Sequence, residues 1–133
     1  MQTYDWRGVK VFALMDLVVT GALAVPVLSA WVLALLLSGL GTQGAPSDWL
    51  PLPLTTMIFC NLAGVLGVLW NGLRLFRPEP LWVRMDQWGR VAVAALFVYY
   101  LLVHDAPVVF WLFVGTELAG SLVAWRTLQT KGR

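Results

Sequence analysis

The sequence predicts an all-α integral membrane protein folded as a four-helix antiparallel transmembrane bundle, with the N-terminus and the C-terminus both cytoplasmic. Three observations carry that expectation. Of the 133 residues, 59% are hydrophobic and only 12% are charged, and the mean hydropathy is +0.76, whereas an ordinary soluble domain has about a quarter of its residues charged. The apolar residues fall in four stretches, at about 9–37, 52–76, 84–103 and 107–127, each near the ~20 residues that an α-helix needs to cross ~30 Å of hydrocarbon. Finally, if the N-terminus is cytoplasmic, all 9 Lys and Arg residues fall on the inner side, as the positive-inside rule requires.

The chain reads as a single transmembrane domain. The continuous Leu/Val/Ala runs lack the alternating polarity of a transmembrane β-strand, which excludes a barrel. Tyr4 and Trp6 suit the membrane interface, and Arg7 and Lys10 suit lipid head groups. In the first span, Ala22-Leu23-Ala24 resembles a signal cleavage site, but apolar sequence runs on to Leu37, so an uncleaved helix is expected. Pro26 removes one backbone hydrogen bond and should kink that helix near its middle. The Gly-, Pro- and Ser-rich segment that follows is a true break, with Ser47 or Asp48 placed to cap a short turn. The second span should end at Pro78 and Pro80, which forbid helix continuation. The stretch "LWVRMDQWGR" is read as running along the inner interface into the third helix. The "HDAP" turn is short enough to make the last two helices a hairpin, with Pro107 at the first position of the fourth.

Polar residues inside the spans are the informative ones, because a charge at a helix centre costs about 2.5–3.5 kcal/mol on insertion scales. They are Asp16, Asn61, Asn71, Arg74, Asp86, Arg90 and Glu117. At a rise of ~1.5 Å per residue, Asp16 lies about 9 Å along its helix from Lys10, and Glu117 about 13 Å along its helix from Arg126. Arg74, Asp86 and Arg90 come from the inner ends of the second and third spans. The five ionisable groups therefore share the cytoplasmic half although they come from four helices.

Helical spacing puts each of them on a face with small residues. Asn61, Gly64, Gly67, Asn71 and Arg74 form one stripe; Asp16 continues to Thr20 and Ala24, Asp86 and Arg90 to Ala94, and Glu117 to Gly120, Ser121 and Ala124. Gly64 and Gly67 should admit a neighbouring helix closely, and Asn71 and Arg74 should meet the carboxylates. Simpler readings stand beside this one. Arg74 and Arg90 are near enough to the interface to reach lipid phosphate. Asp86 and Arg90 can neutralise each other within one helix, and Asp16 can pair with Lys10 or Arg7. Glu117, the deepest charge, has no basic residue near it on its own helix, so its alternatives are a function or a salt bridge to Arg74 or Arg90.

Cys60 is the only cysteine, which excludes an internal disulfide and a multi-cysteine metal site. His104 stands beside Asp105 without a second nearby ligand, so no metal and no cofactor is expected. The net charge of +2 follows from topology and calls for no nucleic-acid partner.

These residues point to a multi-pass protein of the inner, plasma membrane with a buried polar pocket in its cytoplasmic half, binding or transporting a small amphipathic or lipid-like ligand. Two other classes fit the same sequence. One is a membrane-embedded enzyme using Asp16 and Glu117 as acid and base on a lipid or isoprenoid. The other is an accessory subunit whose partner is a larger membrane complex, with Trp31, Trp111 and Trp125 on the contact faces. Besides the bilayer, the expected partners are the amphipathic ligand and either further copies of the chain or such a complex.

Overall fold

The computed structural model describes residues 4–45, 49 and 51–130. Among them the regular structure is helical and no strand occurs: α1 (Arg7–Ala24), α2 (Pro26–Leu37), a short 3₁₀ turn (Gly39–Gly41), α3 (Leu54–Phe76), α4 (Pro80–Val103) and α5 (Phe110–Gln129). By length and composition α3 is the helix able to cross a membrane on its own. The segment from α1 through the 3₁₀ turn passes the same test only when joined, and its two halves are bent by 109°.

The single kinked helix expected over 9–37 is therefore two helices. Pro26 has no N–H to give to the Ala22 carbonyl. Val25 before it is extended, at φ −98° and ψ 116°, as residues preceding proline prefer, and Pro26 restarts the chain as the first residue of α2. Proline alone would leave a kink of modest angle. Here α3 holds the sharper turn: the Asn61 amide donates to the Leu23 carbonyl and to Ser29 Oγ, both at 2.7 Å, and Ser29 donates to the Pro26 carbonyl at 2.8 Å. Backbone groups released by the break are thus satisfied from a neighbouring helix.

Two other boundaries move. α4 begins at Pro80, so "LWVRMDQWGR" is helix from its start, because the fixed φ of Pro80 suits a first helical position. α5 begins at Phe110 instead of Pro107. Residues 107–109 form a tight turn in which the Phe110 N–H donates to the Pro107 carbonyl at 2.9 Å and the Trp111 N–H to the Val108 carbonyl at 3.0 Å. The cap expected of Ser47 or Asp48 lies outside the described residues, while Trp49 meets Tyr100 edge-on with ring centroids 6.4 Å apart.

The helices pack as two antiparallel pairs, α1 with α3 and α4 with α5. Gly64 and Gly67 bring the first pair together. A Cβ on Gly64 would stand 2.3 Å from the Ala24 nitrogen, and one on Gly67 2.4 Å from Thr20 Cγ2, both inside van der Waals contact. Phe97 stacks on Phe110 and tilts against Phe113 in the second pair, at 5.4 and 5.6 Å. The pairs are joined by α1 and α5, where Val9, Val83 and Ala124 form a small apolar core with Trp6 and Leu128 against it. α3 and α4 share the turn at 77–79 and beyond it stand apart in backbone, meeting through side chains such as Trp70 edge-on to Trp82 at 6.1 Å, which leaves a space between the pairs.

Polarity is inverted relative to a water-soluble fold. Phe76 is 81% exposed and Trp31 76%, whereas Arg74 is 2% and Arg90 4%. Asn71, Asp86 and Ser121 are likewise buried, and large aliphatic side chains cover the outside of every helix.

Candidate functional site

Four charged side chains from three helices close into a ring. Arg74 on α3 donates through Nη1 to Asp16 Oδ2 at 3.2 Å and pairs through Nη2 with Asp86 Oδ2 at 2.9 Å. Arg90 on α4 donates through Nε to the same Asp86 oxygen at 2.8 Å and through Nη2 to the same Asp16 oxygen. Signs alternate around this ring of Asp16, Arg74, Asp86 and Arg90, so its formal charge is zero. A buried ion pair is tolerable only when attraction and further hydrogen bonds offset the lost hydration, and the ring meets that condition largely from within.

Uncharged neighbours supply the rest. Asn71 accepts from Arg74 Nη1 at 2.8 Å and donates to Thr20 Oγ1 at 3.4 Å, and Thr20 donates to the Asp16 carbonyl one turn back at 2.7 Å. Trp70 donates its indole N–H to the second oxygen of Asp86 at 3.1 Å. The Phe12 ring lies 5.5 Å from the Arg90 guanidinium carbon, a cation–π contact. Gly120 leaves the space in which that guanidinium lies, since a Cβ there would come within 2.8 Å of Arg90 Nη1. Arg74 Nε is buried without a partner among the described residues.

Glu117 on α5 stands outside the ring. Its Oε2 accepts from Arg90 Nη1 at 3.0 Å, and Oε1 makes no hydrogen bond among the described residues. It is 18% exposed, and Asp16 is 25% exposed. Both face a cavity of about 560 Å³ between the two helix pairs. The ionic residues and Asn71 form one end of it. Apolar side chains including Val19, Leu36, Val93, Leu112 and Phe113 form the walls. Leu40, held at φ 52° between Gly39 and Gly41, is part of the lining beside Leu36.

All the expected polar residues except Asn61 therefore meet at this site. Asn61 serves the α1–α2 break. Arg74 turns inward and is too deeply buried to reach lipid phosphate, and Asp16 takes Arg74 and Arg90 as its ion partners in place of Lys10 or Arg7. Asp86 and Arg90 do pair within α4, and the pair is extended by Arg74. Thr20 joins the site from the stripe expected to carry Asp16, whereas Trp70 and Phe12 are additions that the sequence reading lacks. Trp70 carried a signal, because an indole N–H inside an apolar protein needs an acceptor. Phe12 carried none, since a phenylalanine in an apolar helix is equally suited to lipid.

Elsewhere, His104 hydrogen-bonds Tyr99 at 3.2 Å and packs against Tyr100. Cys60 is a free, half-buried thiol. No cluster of His, Cys, Asp and Glu suited to a metal ion occurs among the described residues. No protein-family model, curated protein or solved structure matches the chain.

Proposed function

We propose that the chain is a multi-pass protein of the inner, plasma membrane whose helices enclose a site that binds or carries a small amphipathic or lipid-like ligand. The inverted polarity supports membrane residence: a surface bearing Phe76, Trp31, Leu66 and Leu112 largely exposed is costly in water and at home in hydrocarbon. In this reading α1 with the bent α2 makes the first membrane segment, and α3, α4 and α5 make the other three. Both termini and the 77–79 turn then lie on the cytoplasmic side with every basic residue.

The observation that carries the functional reading is the cavity of about 560 Å³, ionic at one end and apolar along its walls. That volume is in the range of small-molecule sites, ~300–1,000 Å³. The enzyme reading gains less, because both guanidiniums hold Asp16 in place.

Native mass spectrometry of the protein purified in a neutral maltoside tests the proposal, comparing wild type with Leu112→Trp, which narrows the cavity at its exposed edge. A discrete co-purifying small molecule in wild type, lost from the folded variant, supports it. If both proteins carry only the bulk lipid mixture, or are stable solely with a partner protein, the subunit reading replaces it.

A further inference from the structure

Asp16, Arg74, Asp86 and Arg90 cancel as a closed ring, so Glu117 is a surplus carboxylate. It has one ion partner, Arg90, which Asp86 and Asp16 already share. Of its two oxygens Oε1 is uncommitted, and the side chain lines the cavity. Arg7, Lys10, Arg77, Arg84 and Arg126 are absent from the lining, so among the described residues nothing else supplies a counter-charge there. An uncompensated carboxylate at membrane depth is costly, and a positively charged group arriving through the cavity would remove that cost.

An anionic head would meet the opposite situation. Both guanidiniums are already engaged by carboxylates, Arg74 by Asp16 and Asp86 and Arg90 by those two and Glu117. The one guanidinium nitrogen without a partner, Arg74 Nε, is sealed from the cavity by burial. A carboxylate or phosphate entering would therefore lie beside three like charges. The lining also includes Trp70 and Phe113, and aromatic rings attract ammonium groups.

Accepting the cavity as an amphipathic-ligand site, we infer that its ligand is an amphipathic monocation, with an ammonium-type head held by Glu117. The apolar tail lies along Phe113 and Leu112 on α5, Val109 in the turn before it and Val93 on α4. From Glu117 to Val109 the wall extends about 12 Å at ~1.5 Å per residue, enough for a single alkyl chain.

Three probes of one chain length separate head from tail: decyltrimethylammonium, decanol and decyl sulfate, titrated at fixed neutral pH in a maltoside detergent and followed by quenching of tryptophan fluorescence. Wild type should bind the cation about tenfold more tightly than the alcohol, equivalent to ~1.4 kcal/mol, and should bind the sulfate most weakly. Glu117→Gln should lose that preference while still binding the alcohol, and Glu117→Asp, which keeps the charge, should retain it. Equal binding of cation and alcohol by wild type, a preference for the sulfate, or a cation preference that survives Glu117→Gln would each overturn the inference while leaving the amphipathic site standing. If none of the three probes binds, the site itself fails and the inference with it.

Discussion

Glu117 touches the buried ion network at a single point, Arg90 Nη1, 3.0 Å from its Oε2. Arg90 by contrast meets three carboxylates. The two residues are thus partners of very different structural weight.

Arg90→Ala would leave Asp16, Asp86 and Glu117 with one guanidinium among them, and breaking a buried ion pair from one side typically costs ~3–5 kcal/mol. We expect a large fall in apparent melting temperature in detergent, or failure to accumulate in the membrane. Arg90→Lys should not restore stability, because an ammonium lacks the planar fork that serves Asp86, Asp16 and Glu117 at once. Glu117→Gln, which removes only the surplus charge and leaves the ring of Asp16, Arg74, Asp86 and Arg90 intact, should lose far less stability than Arg90→Ala. Equal loss in the Arg90 and Glu117 variants would contradict the ring as drawn.

Close contact at Gly64 makes a second contrast. Gly64→Ala puts a methyl group against the backbone of Leu23 and Ala24 and should destabilise by roughly 1–3 kcal/mol, the usual cost of overpacking. Gly72 on the same helix has nothing within 4 Å of a Cβ. Gly72→Ala should therefore be neutral or stabilising by up to ~1 kcal/mol from helix propensity. Thermal melts of the two variants side by side decide the matter.

Asn61 and the α1–α2 bend can be followed with the chain's own thiol. Asn61→Leu removes the donors to the Leu23 carbonyl and Ser29, worth ~0.6–2 kcal/mol inside a membrane. Loosening the bend should speed maleimide labelling of neighbouring Cys60 several-fold, in line with that energy. An unchanged labelling rate together with an unchanged melt would show that the bend is held by Pro26 alone.

The proposed topology predicts that a fluorescent reporter fused at either terminus is active in the cytoplasm, while a secreted-type phosphatase reporter is active only when inserted near Gln43 or Asp105. Phosphatase activity at a terminus would reverse the orientation.

Helical class and the inward stripe on α3 were legible in the sequence because both are local. A helix closes its hydrogen bonds within itself, and recurrence at three and four residues places Asn61, Gly64, Gly67, Asn71 and Arg74 on one face whatever surrounds it. Pro26 likewise marked where the first span must weaken. A missing hydrogen bond locates a bend without setting its angle, and the 109° turn depends on Asn61 and Ser29 meeting across two helices. The charge pairing was nonlocal in the same way. Five charges on the span faces, Asp16, Arg74, Asp86, Arg90 and Glu117, were legible, but which of them pair depended on the register of α1 on α3 and of α4 on α5, because Coulomb attraction and hydrogen bonding at this range act over a few ångströms. That register seats both guanidiniums between Asp16 and Asp86 and leaves Glu117 beside the cavity.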